Sequence, residues 1–264
     1  MEDIFEKVTE IKNKGTPSAL AIVIRTEGST PRKPGAKMVI LKDGAIFGTL
    51  GGGDLENRII KEAIKTIDEG KPKIASFTLD IEKGGLDMMC GGTVEVYIEP
   101  LLPPEKLIIF GAGHITRSLA PMMKKIGFHV TVVDDTPDYL QREYFPDIED
   151  LHLEDMAAFA ERLPSDANTY VVILSRGFSR DKAILGELLK KDFRYIGMIG
   201  SKRKMENVIK GLKEEGMPDE AFSKLKSPVG LDIGAETPEE IAISIAGKIL
   251  AIKKGKLAFA LTHQ

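Results

Sequence analysis

The chain's 264 residues suffice for one large domain or two ordinary ones, and 42% hydrophobic with 29% charged residues is the balance of a soluble globular protein with a substantial core. A net charge of -3, without long blocks of like charge, argues against nucleic acid as a partner. The acidic start Met1-Glu2-Asp3-Ile4-Phe5-Glu6 fits neither a signal peptide nor a membrane span, and one cysteine, Cys90, allows no intramolecular disulfide, as expected of the cytoplasm.

Ile4, Phe5, Val8 and Ile11 fall on one face of a helix over 2–14, with Gly15 as its stop. The β-branched run Leu20–Ile24 predicts a buried strand, and Met38–Leu41 followed by Ile46-Phe47 predicts a hairpin turning at Asp43-Gly44. After Gly51-Gly52-Gly53, the spacing of Ile59, Ile60, Ala63, Ile64 and Ile67 predicts an amphipathic helix ending at Gly70. Strands near Lys73–Leu79 and Thr93–Ile98 complete an α+β pattern over 1–100.

Pro100-Leu101-Leu102-Pro103-Pro104 predicts a linker over 101–105, since proline withholds the backbone donor that helix and sheet need. Beyond it, over 106–264, strands at Leu107–Phe110, Val130–Val133, Tyr170–Leu174 and Tyr195–Ile199 alternate with helical segments. That alternation predicts a Rossmann-like, doubly wound parallel sheet, so the fold class is α/β with an N-terminal α+β domain. Thr237-Pro238-Glu239-Glu240 opens the last helix with a capping box and a proline at its first position.

Gly111-x-Gly113-x-x-Thr116 follows a strand, opens a helix and is trailed by Asp134 at the end of the next strand. Gly111 permits the tight turn, Gly113 lets a pyrophosphate approach the backbone, and Asp134 can accept from a ribose hydroxyl. Thr116 stands where glycine or alanine is usual, which loosens the expected packing of helix on strand. His114, on the first helical turn, can donate to a phosphate oxygen; the competing reading is a histidine satisfying a neighbouring carbonyl. Gly200 and Ser201 repeat the turn-then-helix logic beside Lys202-Arg203-Lys204, with Ser201 as a plain N-cap and the basic run as a solvated face as the competing reading. Asp181 lies just past a strand's carboxyl end, the functional edge of an open parallel sheet; the competing and preferred reading is an ordinary carboxylate at a helix N-terminus.

Cys90, flanked by glycines, can bind a soft metal or carry sulfur, or else fill a small apolar gap. The four histidines lack any zinc-ligand spacing, and no acid–base or nucleophile pair declares itself, so catalytic residues stay unassigned.

Glu27-Gly28-Ser29-Thr30-Pro31-Arg32, Gly35-Ala36-Lys37-Met38, Gly48-Thr49-Leu50-Gly51-Gly52-Gly53-x-x-Glu56 and Cys90-Gly91-Gly92 resemble the N-terminal domain of the XdhC/CoxI family. Gly111-Ala112-Gly113-His114, Tyr195–Ser201, Pro228-x-Gly230-Leu231-Asp232-Ile233-Gly234 and Thr237–Ala242 resemble its C-terminal Rossmann domain. One departure is Arg176-Gly177-Phe178-Ser179, where many relatives carry a histidine. The resemblance implies an accessory protein for molybdenum hydroxylases of the xanthine dehydrogenase type, a cofactor chaperone rather than a turnover enzyme. It implies binding of molybdenum cofactor, as molybdopterin or its dinucleotide form, with transfer to an apo molybdenum hydroxylase and a cysteine desulfurase as a second partner. On that basis Gly51, Gly52, Gly53, Cys90, Gly111, Gly113, His114, Asp134, Gly200 and Ser201 are the candidate cofactor-binding residues, with Cys90 as the contact to molybdenum or its sulfur. Shielding a cofactor calls for more wall than one small domain offers, so a homo-oligomer, a dimer first, is expected. The rival reading is an NAD(P)-dependent oxidoreductase, resting on Gly111, Gly113 and Asp134; an adaptor that binds neither ligand is the third.

Overall fold

Period-two alternation in the first strands separates two apolar faces, and a helix covers each of them. The computed structural model of the chain describes residues 3–79 and 91–256; Cys90 lies outside the described residues. Strands β1 (Ser18–Glu27), β2 (Lys37–Leu41), β3 (Ile46–Gly48), β4 (Lys73–Thr78) and β5 (Thr93–Leu101) form an antiparallel sheet in the order β3-β2-β1-β5-β4. Ala19, Ala21, Met38 and Ile40 point to the face covered by helix α2 (Gly53–Glu69), where they meet Leu55, Ile59 and Ala63. Leu20 and Val39 point the other way, against Ile11 and Val8 of helix α1 (Ile4–Asn13). The hairpin turns as expected, with Gly44 at φ +88° and the Ala45 N–H donating to the Asp43 carboxylate at 3.0 Å.

Of the proline-rich stretch, Pro100 and Leu101 belong to β5, where Pro100 pairs with Ala19 and is tolerated as a strand residue. The reason is the stagger of the sheet: β4 begins at Lys73 opposite Ile98, so at Pro100 the strand has a partner on one side only. The chain divides into two compact units between Pro103 and Pro104.

In the second unit, six parallel strands lie in the order β11-β10-β9-β6-β7-β8. They are β6 (Lys106–Phe110), β7 (His129–Asp134), β8 (Asp150–Leu153), β9 (Asp166–Ile173), β10 (Phe193–Met198) and β11 (Leu225–Lys226). Numbered from β6 the order is 3-2-1-4-5-6, the doubly wound arrangement whose direction of winding reverses between β6 and β9. Leu107 and Ile109 face helices α3 (His114–Lys125) and α7 (Pro238–Lys253), whereas Ile108 and Phe110 face α4 (Met156–Arg162), α5 (Phe178–Leu189) and α6 (Lys202–Glu214). Near-continuous apolar strands are what a sheet buried on both faces requires. The capping box forms: the Thr237 hydroxyl accepts from the Glu240 N–H, and the Glu240 carboxylate accepts from the Thr237 N–H. Among the described residues no helix is long and apolar enough to cross a membrane.

Candidate functional site

Where the winding reverses, the loops after β6 and β9 splay apart and leave a crevice at the carboxyl ends of the strands. The turn after β6 is dictated by Gly111. Its φ is +106°, and a Cβ there would sit 2.7 Å from the Leu174 carbonyl oxygen, so glycine is required both for conformation and for space. The turn is pinned from three sides: the Gly111 N–H donates to the Val133 carbonyl at 2.8 Å, the Ala112 N–H to the Asp134 carboxylate at 2.7 Å, and the buried Thr116 hydroxyl to the Gly111 carbonyl. The looser packing expected from Thr116 does not arise, because its hydroxyl is spent on fastening the turn.

Asp134 is buried at the end of β7, and its second oxygen accepts from the Thr136 N–H at 2.9 Å. Both of its oxygens thus hold backbone donors that set the crevice wall. Gly113 is the N-cap of α3, and it offers no side chain to the first-turn N–H groups. His114 is exposed on that first turn. The turn lacks an acidic residue, so the positive end of the helix faces the crevice uncompensated.

Arg176, in the loop after β9, supplies a cation to the same place. Its guanidinium lies 4.2 Å from the centre of the Tyr139 ring and donates to the Tyr139 hydroxyl at 2.5 Å. Its other terminal nitrogen is 3.6 Å from where a Cβ on Gly113 would stand. Arg180 pairs with Asp135 at 3.0 Å. With Arg176 laid across it, the crevice between Gly111, Gly113, Asp134 and Ser175 has room for only about 20 Å³. Tyr139, Arg176 and Arg180 were not singled out as ligand-contacting groups by sequence reasoning; their only local signal is position after a strand's carboxyl end.

Gly200 and Ser201 follow β10. Ser201 is an N-cap whose hydroxyl accepts from the Lys204 N–H at 3.2 Å. Gly200 lies under the stem of Lys204: a Cβ there would come within 2.9 Å of Lys204 Cδ. Lys204 thereby reaches Asp181, which is fully buried and also accepts from the Ser175 hydroxyl. Asp181 does stand in the first turn of α5, as the helix-start reading has it, but buried and paired there, and Lys204 is not merely part of a solvated face.

In the first unit, the Gly28–Arg32 loop, the Gly48–Gly53 loop and Gly91-Gly92 meet. A Cβ on Gly92 would overlap the Glu27 and Ser29 carbonyls, and one on Gly51 would overlap the Pro31 ring. The N–H groups of Leu50, Gly51 and Gly52 donate to one oxygen of Glu56 at 2.9, 3.2 and 2.9 Å, joined by the Thr49 hydroxyl. Burial on its own raises the Glu56 pKa, but these bonds outweigh it and hold the carboxyl below the usual glutamate range. Gly53, the first residue of α2, is exposed. Among the described residues no group of three or more histidine, cysteine, aspartate or glutamate side chains is arranged to hold a metal ion.

Comparison with known proteins gives the same partition of the chain. A family model described as the XdhC Rossmann domain matches residues 107–249, and one described as the XdhC and CoxI family matches 11–78. The Escherichia coli K12 protein YqeB is 34% identical over 95% of this chain, which spans only 46% of that relative's length. The molybdenum cofactor insertion chaperone PaoD of the same organism is 20% identical, over 95% of this chain and 88% of PaoD. A crystal structure described as a xanthine dehydrogenase from Bacillus halodurans superposes with a TM-score of 0.54 at 26% identity, over 95% of this chain and 96% of that one.

Proposed function

Because the chain belongs to the XdhC and CoxI family, we propose that it is an accessory protein in the maturation of molybdenum hydroxylases of the xanthine dehydrogenase type, binding molybdenum cofactor and passing it to the apoenzyme. The observation that carries this reading is the Rossmann crevice. Uncapped N–H groups at the start of α3 and the Arg176 guanidinium converge beside Gly113, whose missing side chain lets a phosphate approach the backbone once Arg176 swings aside. Molybdopterin carries a phosphate and its dinucleotide forms a pyrophosphate, and this donor set suits either.

In this reading Gly111 and Asp134 hold the turn in its binding shape before the ligand arrives, so little ordering is left for binding to do. Arg176 leaves Tyr139 to meet the phosphate, and His114 adds a donor at the rim. The bound cofactor brings the molybdenum centre with its sulfido ligand, and Cys90 is the proposed contact to it. The names of PaoD and of the Bacillus halodurans structure support this cofactor and this class of client enzyme. A cysteine desulfurase as sulfur donor, a homo-oligomer and a cytoplasmic site of action belong to the same proposal.

An NAD(P)-dependent oxidoreductase is the second reading, favoured by the 3-2-1-4-5-6 strand order and the Gly111–Gly113 turn. Mass spectrometry of ligand co-purified from a molybdenum-replete host separates the two. Recovery of molybdopterin or its dinucleotide is the expected result; a nicotinamide dinucleotide in its place sinks the chaperone reading.

A further inference from the structure

A second cavity lies in the first unit, built from three segments that the Rossmann crevice does not use. It is a cavity of about 620 Å³ bounded by Ile4 and Lys7 of α1, by Arg32, Gly35 and Ala36 ahead of β2 with Lys37 at its start, and by β3 with Thr49 after it. That volume is in the range of pockets for small organic ligands. Ile4 and Phe47 form its apolar floor, with the Lys7 ammonium 4.4 Å from the centre of the Phe47 ring, and Ile46, which points to the other face of the sheet, stands at its edge.

Its rim is basic, and two of its cations have no carboxylate partner among the described residues. Lys37 donates only to the Gly35 carbonyl, at 3.0 Å, and stands 5.5 Å from the Phe5 ring centre. Arg32 is exposed and makes no ion pair. The nearby Glu10 carboxylate is engaged by Lys7 and Lys14 at 2.7 and 2.5 Å, which holds its pKa down at about 2. It is therefore not the missing counter-charge.

The walls are fixed before any ligand binds. The Gly35 N–H donates to the Val23 carbonyl at 2.8 Å, the Val23 N–H to the Ala36 carbonyl at 3.0 Å, and the Thr30 hydroxyl to the Arg32 carbonyl at 3.1 Å. Gly48, at φ +87°, leaves no space for a Cβ, which would fall 2.6 Å from the Lys37 carbonyl oxygen. A held basic rim over an aromatic and aliphatic floor is complementary to a molecule with an anionic end and a flat apolar body.

We infer that this pocket binds a phosphorylated planar heterocycle, its phosphate on Arg32 and Lys37 and its ring system against Ile4 and Phe47, in the place over the Phe47 ring that Lys7 occupies without ligand. The inference stands on the first unit's own residues and does not depend on what the Rossmann crevice binds. The test is a fluorescence titration of the full chain with flavin mononucleotide as the probe phosphate ester. Riboflavin, which lacks the phosphate, is titrated in parallel, and inorganic phosphate serves as competitor. Flavin mononucleotide is expected to bind saturably and riboflavin at least about tenfold more weakly; R32A and K37M are each expected to weaken the phosphate ester about tenfold, the value of one charge-assisted hydrogen bond. The binding phase that R32A and K37M weaken and R176A does not is the first unit's; a phase lost in R176A is the crevice's. Absence of saturable binding, equal affinity for riboflavin, indifference to both R32A and K37M, or loss in R176A alone would each overturn the inference. Arg32 is exposed, so R32A keeps the test intact if K37M fails to fold.

Discussion

The guanidinium of Arg176 lies over the ring of Tyr139, 4.2 Å from its centre, and donates to the same residue's hydroxyl. It thereby rests a positive charge near the uncapped, positive end of α3, with no carboxylate paired to it among the described residues. That juxtaposition costs electrostatic energy which an anion between the two would recover. The cation–π contact returns about 0.5–1 kcal/mol at such an exposed position, enough to hold the side chain in readiness and little enough to release it.

Arg176→Ala should therefore weaken binding of a phosphate-bearing ligand to the crevice by about tenfold or more, since a hydrogen bond to a charged group contributes about 1.5–3 kcal/mol. Its thermal midpoint should stay near that of the parent. Isothermal titration at two ionic strengths checks both the loss and its origin, because the salt dependence should shrink along with the affinity. Tighter binding in the variant would identify the stacked guanidinium as an obstacle instead of a ligand.

Gly111 and Gly113 should separate fold from site. Gly111→Ala puts a methyl group 2.7 Å from the Leu174 oxygen at φ +106°, and should cost about 2–4 kcal/mol, visible as a lowered thermal midpoint. Gly113 has an extended φ of -74°, and a Cβ there meets nothing closer than Arg176 at 3.6 Å. Gly113→Ala should leave the midpoint within about 1 kcal/mol of the parent while reducing phosphate-ligand affinity, because the methyl group stands in the anion's place. Equal destabilisation by the two substitutions would contradict this division of labour.

The Asp181–Lys204 pair should show strong coupling. Asp181→Asn leaves Ser175 and Lys204 facing a neutral amide in a buried setting, at a cost of about 1–3 kcal/mol. Lys204→Met strands the carboxylate, and the penalty for an unpaired buried charge is about 3–5 kcal/mol. The double variant should be less destabilised than the sum of the two, by about 1–3 kcal/mol. Denaturant unfolding of the four proteins measures that difference, and simple additivity would show that the ion pair contributes nothing.

Much of the fold is legible in local pattern because local physics decides it. The Asp43-Gly44 turn, the alternation through β6 and the Thr237–Glu240 capping box each need only neighbouring residues. Strands β8 and β11 escape the pattern: Asp150–Leu153 lies at the sheet edge without a buried residue, and Leu225-Lys226 is two residues long. Asp181 misleads for a different reason. Its neighbours Ser179, Arg180 and Lys182 spell an exposed helix start, and the partner its side chain meets in the interior, Lys204, is on another helix. Arg176 and Tyr139 are likewise joined only by the fold, so their pairing leaves no spacing to read. At Glu56 the signal was present, in a glutamate three residues after a glycine run, but whether such a run receives a ligand's anion or the chain's own cannot be told from spacing.

That last relationship yields a pH-dependent prediction. Glu56 receives three backbone N–H groups and the Thr49 hydroxyl, and its carboxyl is held below the ordinary glutamate range. A folded-state pKa below the unfolded value of about 4.3 means the carboxylate stabilises the fold at any pH above that value. The contribution disappears as pH falls from there through the folded-state pKa. Thermal midpoints between pH 7 and pH 3 should therefore drop more steeply in the parent than in Glu56→Gln, the curves converging at the acid end. At pH 7 the glutamine variant should be less stable by about 1–3 kcal/mol, since an amide oxygen is a weaker acceptor for four donors than a carboxylate. The same variant tests whether the Gly51–Gly53 loop accepts a ligand's anion. If Glu56 holds that place, removing its charge should raise the affinity of the first unit for inorganic phosphate, measured by equilibrium dialysis at pH 7. An unchanged phosphate affinity alongside the stability loss would mark the loop as a structural cap.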